Sequence, residues 1–293
     1  MNRFLDKAAI VEEKYTEGKD NPWRLATVTR VEETKLILNV IPVWLTSLLI
    51  GACVAYGSTL YVKQAATMNL KISNTFKVPP ASMLSFSAFG TIVSVPIYDR
   101  IIVPILRKVT GDERGISILR RIGIGLTLLT IDMIVAAFVE TKRLRMVGEE
   151  VLREGGTKHE SMSVMWMIPQ YFILGIGNSF YLTGFQEYFY DQVPDSMRSV
   201  GIALYLSGIG VGFFLSSFII TIVDHVTGKN GKSWIAKDIN SSRLDKFYWL
   251  LAGLNVLNLF LFVLFAKRYT YKTVHSKATE IDASNGDGEE TLP

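Results

Sequence analysis

Residues Val200–Val223 read VGIALYLSGIGVGFFLSSFIITIV and contain no Asp, Glu, Lys, Arg or His. As an α-helix rising 1.5 Å per residue this stretch extends about 36 Å, enough to cross a hydrocarbon core of about 30 Å. A helix on the surface of a soluble bundle carries a polar or charged residue every third or fourth position on its wet face. Here there is no such face. A second stretch, Val43–Val62 (VWLTSLLIGACVAYGSTLYV), is equally free of charge. Around these two lie further apolar blocks, and together they are Leu36–Val62, Ala81–Leu106, Ile116–Glu140, Val164–Tyr190, Ser199–Val223 and Phe247–Ala266. The charges gather between them. The expected fold is therefore an all-α membrane protein with six transmembrane helices in a lipid bilayer, rather than a soluble bundle with long core helices. The Gly, Ser, Thr and Tyr scattered through the blocks suit helices that pack on one another around a polar cavity.

Composition narrows the function. The 293 residues hold 31 Lys+Arg against 27 Asp+Glu, a net charge of +4. The excess is scattered, with no basic run of the kind that binds nucleic acid. The single cysteine, Cys53, excludes an intrachain disulfide framework and a multi-thiolate metal site. His159, His225 and His275 are too far apart in sequence to suggest a metal motif. No metal and no cofactor is expected. No Ser–His–Asp spacing, HExxH motif or Walker loop marks an enzyme, and Gly51 and Gly57 are not followed by the GKS or GKT of a phosphate loop.

Three regions are expected along the chain: a cytosolic linker at 1–35, the six-helix bundle at 36–268, and a largely disordered cytosolic tail at 269–293. Residues 1–34 are charged and lack an apolar core, so no secretory signal is expected there. With six spans both termini share a side. That side carries 18 Lys and Arg, against 13 opposite, which favours cytosolic termini. Asn240-Ser241-Ser242 is a glycosylation sequon on the outer side of that arrangement.

Polar groups inside the blocks are the candidates for function. Asp132 lies near the middle of the third block. It reads either as a proton or cation carrier facing a cavity or as a packing residue, protonated or hydrogen-bonded to Thr127 or Thr130. Glu187 and Asp191 share a helix face near the end of the fourth block, where they could join Arg198 in a gating ion pair or remain wet interfacial charges. Asn178 and Ser179 lie beside Gly175 and Gly177 in mid-block. Tyr181 carries a hydroxyl that needs a partner and could line a substrate path. Pro42, Pro96 and Pro169 each remove a backbone donor in or near a span, either as hinges or as breaks without a role.

A set of short segments in fixed order makes the chain more specific. They are Arg3–Ala9 (RFLDKAA), Asn21–Arg24 (NPWR), Thr29–Lys35 (TRVEETK), Ile41–Trp44 (IPVW), Val78–Ser82 (VPPAS), Pro96–Arg100 (PIYDR), Leu119–Gly123 (LRRIG), Ile168–Tyr171 (IPQY), Gln186–Pro194 (QEYFYDQVP) and Ser196–Ser199 (SMRS). In these the chain resembles the C-terminal half of plant members of the proton-coupled oligopeptide transporter family, the nitrate/peptide transporters of the major facilitator superfamily. The resemblance implies the second half of a twelve-helix fold, whose blocks are helices seven to twelve and whose partner is an N-terminal six-helix half absent here. It implies proton-coupled symport of a small solute such as nitrate, peptide or another small organic molecule, by alternating access, in the plasma or vacuolar membrane. It makes Asp99 and Arg100 the family's cytosolic gating pair, which locks adjacent helices. Substrate contacts fall on Asn178 and Tyr181 and on a helix-seven stripe of Ser47, Gly51, Val54 and Ser58, a stripe that also reads as interhelical packing. Two departures stand out. Asn178 occupies the place of a helix-ten glutamate, and Val54 the place of a helix-seven histidine found in a nitrate-transporting branch. A second reading is a truncated, non-transporting membrane polypeptide that pairs with or regulates an intact transporter, and a third is a membrane enzyme.

Overall fold

Thr59 interrupts what would otherwise be one continuous helix. Helix α1 runs Val28–Ser58 and α2 runs Leu60–Ala66. At the break the Ser58 and Thr59 hydroxyls both donate to the Ala55 carbonyl, at 3.0 and 2.8 Å, so side chains replace the lost backbone bond. The computed structural model describes residues 28–73, 76–110, 116–152, 162–193, 197–228, 233–235, 239–240 and 242–268. The expected tail, most of the expected linker, the RFLDKAA and NPWR segments, His159, His275 and Ser241 of the sequon lie outside them. Helix α1 begins before the expected Leu36, because a helix once nucleated extends at little cost into the charged TRVEETK segment.

Helix α3 (Leu84–Ile97) follows a 3₁₀ turn at Pro80–Met83. A π turn, Tyr98–Ile102, joins it to α4 (Val103–Thr110). Pro104 offers no N–H to the Arg100 carbonyl, and at this point the Val103 N–H bonds instead to the Tyr98 carbonyl. Helix α5 (Ile118–Leu152) is 35 residues long and continues well past the expected end of its block. Helix α6 (Ile168–Gln192) holds Pro169 in its first turn, where a missing donor costs nothing. Helices α7 (Arg198–Gly228) and α8 (Leu244–Arg268) complete the bundle.

Packing follows small residues. Helix α6 lies between α3 and α5, with α7 and α1 alongside. A Cβ on Gly175 would run into the Ser87 carbonyl of α3, and one on Gly125 of α5 would come within 2.6 Å of the Tyr181 backbone nitrogen. Helix α1 crosses α7 where Gly51 and Gly212 meet, a Cβ on Gly212 falling 2.6 Å from Gly51 Cα. Amides zip α8 to α1: Asn258 Nδ2 donates to the Thr46 carbonyl at 2.9 Å, and Asn255 Nδ2 to Cys53 Sγ at 3.0 Å.

Among the described residues, five helical segments are long and apolar enough to cross a membrane: Thr34–Ala66, Pro80–Ile105, Ile118–Gly148, Arg198–Gly228 and Leu244–Arg268. The remaining expected block, Val164–Tyr190, forms α6, as long as α8 but more polar. Its place in the interior explains this, since neighbouring helices meet the surface that the others expose to lipid.

Candidate functional site

Three helices converge around Ser47. The Trp44 indole N–H donates from α1 to the Leu204 carbonyl and to Ser207 Oγ of α7, each at 3.1 Å. Ser47 Oγ donates to the Trp44 carbonyl at 2.6 Å, one turn back on its own helix. A Cβ on Gly208 of α7 would lie 2.9 Å from that hydroxyl. Helix α6 supplies the third side. Tyr181 is buried beside Ser47 and stacks on Phe185 with ring centroids 5.3 Å apart. Phe185 in turn meets Tyr205 of α7 at 5.9 Å.

Asn178 belongs to the same face of α6. It lies between Tyr181 and Leu174, whose side chain presses on Gly57 of α1. The residue is half-buried, and its Oδ1 is shielded from solvent without a hydrogen-bond partner. Of the expected helix-seven stripe, Ser47 and Gly51 are buried against α7, Val54 is half-buried and Ser58 is exposed. The structure thus brings Ser47, Tyr181 and Asn178 together. It places Gly51 in a helix crossing and Ser58 further along, at the break.

The charged candidates gather at the end of the bundle where α3 and α6 finish and α5 begins. Arg121 Nη1 lies 3.5 Å from Glu187 Oε2, and the guanidinium sits 4.2 Å above the Tyr98 ring. Three helices are thereby braced by one cation. Asp99 and Arg100 lie on the adjoining π turn, both exposed. Arg198, at the start of α7, sits 4.7 Å above the Tyr190 ring. Arg121 lies within the LRRIG segment, where its type alone points to no role. The available signal was phase: Arg121 lies three residues past the buried Ile118, whereas Arg120 is exposed.

Asp132 lies apart from both groups. It is fully buried, and the Tyr61 O–H of α2 donates to its Oδ2 at 2.9 Å. Thr127 and Thr130 are not its partners; their hydroxyls bond back to the Gly123 and Leu126 carbonyls, each at 2.9 Å. The reason is geometric, since a hydroxyl on a helix reaches its own preceding turn more easily than a neighbouring side chain. Nearby, Arg143 grips Glu140 through two bonds of 2.8 and 2.6 Å and donates to Asn240 Oδ1 at 2.7 Å. This pair is buried on both sides, and nothing in the sequence distinguished it from the surface charges of a loop.

Known proteins resemble this chain in sequence and in fold. The model of the POT family matches residues 1–236. Two Arabidopsis thaliana proteins, NRT1/PTR family 5.7 and 5.6, are 49% identical over 99% of this chain and 50% identical over 93% of it. NRT1/PTR family 8.3 of the same plant is 44% identical over 94%. The chain spans about half the length of these relatives: 48%, 46% and 47%. Among solved structures, an auto-inhibited POT family peptide transporter superposes with a TM-score of 0.63 at 19% identity, covering 84% of this chain and 43% of that one. The POT family transporter PepTSo superposes at 0.61 and 17%, covering 82% and 43%. These two likenesses show the fold, a helical membrane bundle matching less than half of each transporter. From sequence and fold together, the chain belongs to the POT family of membrane transporters, as an integral multi-pass protein and not an enzyme.

Proposed function

We propose that this chain forms one wall of a proton-coupled symporter that moves a small solute (nitrate, peptide or another small organic molecule) by alternating access. The observation that carries the reading is Asn178. Its amide oxygen is shielded and unbonded on the face of α6 that meets α1, so a solute donor that reaches it where α1 and α6 part gains a hydrogen bond without displacing an existing one. Because asparagine does not titrate, its part is a neutral hydrogen bond. Val54 and Ser58 extend the same wall along α1, while Ser47, Gly51 and Tyr181 hold α1, α6 and α7 in register. A six-helix N-terminal half supplies the opposite wall, and the solute binds between the two near the bilayer midplane.

The Tyr98–Arg121–Glu187 brace, with Asp99, Arg100 and Arg198 beside it, acts as the gate at one end. Glu187 is about a third exposed. Such a pair contributes roughly 0–1 kcal/mol, so it opens and closes without a large barrier. The proton gradient drives the cycle by favouring one of the two conformations through protonation.

The test is pH-dependent uptake of a panel of small solutes into cells or vesicles, with this chain joined to a six-helix first half. Asn178→Ala is expected to raise KM about five- to tenfold, the equivalent of one hydrogen bond of about 1 kcal/mol. Wild-type uptake by that variant removes Asn178 from the binding wall. Absence of uptake for every solute favours the second reading, a polypeptide that pairs with an intact transporter.

A further inference from the structure

Five polar side chains are sealed into the end of the bundle where α6 and α8 begin, opposite the end that holds the Arg121 gate. Asp132 comes from α5, Tyr61 and Gln64 from α2, Tyr171 from α6 and Tyr248 from α8, and all five are buried. The Tyr61 ring stands edge-on to Tyr171 and to Tyr248, with centroids 5.7 Å away in each case. The Tyr248 O–H donates to Gln64 Oε1 at 3.4 Å. Tyr61 meets Asp132 Oδ2, as described above. Three hydrogen-bonding atoms in this nest remain shielded and without a partner: Asp132 Oδ1, the Tyr171 hydroxyl and Gln64 Nε2.

The titratable groups around the carboxyl are Tyr61, Tyr171 and Tyr248, with Cys53 of α1 beyond them. The charged groups acting on Tyr248 are Glu140 and Arg143 of α5, which close on each other. Among the described residues, no basic side chain is salt-bridged to Asp132. A buried carboxylate with one neutral donor and no counter-charge has lost its hydration without compensation. A proton is the smallest ligand that restores neutrality.

We propose that Asp132 is a proton-binding site whose occupancy sets how firmly α2 is held to α5. The proton arrives from water and bonds to Oδ1, the unpartnered oxygen; on release it returns to water. Tyr61 keeps its own proton throughout and goes on donating to Oδ2. With Asp132 ionised, that bond is charge-assisted and about twice as strong as its neutral form. Once the proton binds, the tether weakens. Helix α2 follows the break at Thr59, so the segment it releases is already separated from α1 by a joint. The role of this site in driving transport rests on the symport reading above; the binding of the proton does not.

The test uses the chain in lipid vesicles, with infrared difference spectra between neutral and acidic buffer. The wild type is expected to gain the C=O stretch of a protonated carboxyl in an apolar site, and Asp132→Asn to lose it. Tyr61→Phe retains the band but shifts it upward, because Oδ2 loses its donor, and this variant carries the test if Asp132→Asn fails to fold. The protection of amides 60–66 against hydrogen exchange, taken relative to each amide's intrinsic rate at the same pH, is expected to fall about fivefold on acidification in the wild type and to be low at either pH in Asp132→Asn. A band that survives Asp132→Asn, or protection at 60–66 that keeps its pH response in that variant, overturns the proposal. If the band is present but the complete transporter carries no solute, the proton site stands and the symport reading fails.

Discussion

Helices α6 and α7 are both rich in glycine and both long enough to span a bilayer, yet they occupy opposite environments. In α6, 13 of 25 residues are buried; in α7, 5 of 31. The buried set of α7 is a narrow stripe, Gly201, Gly208, Gly212, Ser216 and Val223, flanked by half-buried residues such as Leu204 and Tyr205, and the opposite face is open, with Phe214 79% exposed. The buried set of α6 includes Gln170, Tyr171, Ser179, Tyr181, Tyr188 and Gln192. The outer helix is the more apolar and the inner one the more polar, the reverse of a water-soluble protein. Lipid rewards apolar surface on the outside, whereas polar groups inside find partners on other helices. The hydropathy of a span therefore reports what surrounds it.

That contrast is open to substitution. The largest effect is expected for Gly175→Ala, whose new methyl meets the Ser87 main chain rather than a side chain that can rotate away. Unfolding in detergent or bicelles should show a loss of about 3 kcal/mol or more, at the upper end for overpacking. A loss below about 1 kcal/mol would mean that α3 and α6 are not locked there. Gly212→Ala on α7 comes next. Gly51 lies opposite with no side chain to displace, so the helices must part slightly, at a cost of about 1–3 kcal/mol in the same measurement. Reduced uptake should accompany it if α1 and α7 move as one body. The smallest effect belongs to Gly210→Ala, two residues away on the same helix, where an added methyl has open space. Stability should stay within about 0.5 kcal/mol of the wild type. If Gly210→Ala proved as damaging as Gly212→Ala, a partner would have to cover that face of α7.

Much of the architecture was legible in the order of residues. Val200–Val223 and Val43–Val62 declared themselves as spans by length and absence of charge. Ten short segments pointed to the family, and Pro96 and Pro169 fell at irregular or terminal helix positions. The site was less legible. Asn178 stood out because it is a polar residue in an apolar block. Arg121, Arg143 and Tyr61 did not, because Arg and Tyr are ordinary residues near the end of a span. Asp132 is equally conspicuous in an apolar block, but the hydroxyls nearest to it in sequence, Thr127 and Thr130, are not its partners. Tyr61 lies 71 residues away in sequence, and no local pattern connects the two.

Chain order alone determined that the polypeptide enters the membrane and roughly where each crossing lies. Transfer of apolar surface out of water is nearly additive over neighbouring residues, so a run of them suffices. The tertiary structure alone decided which face of each crossing is interior. Lipid and protein interior are almost equally apolar, so helical periodicity carries little information about the inward side. Close approach of glycines, an unpaired amide at Asn178 and a tyrosine hydroxyl on Asp132 supply that information, and each arises only once distant segments are packed together.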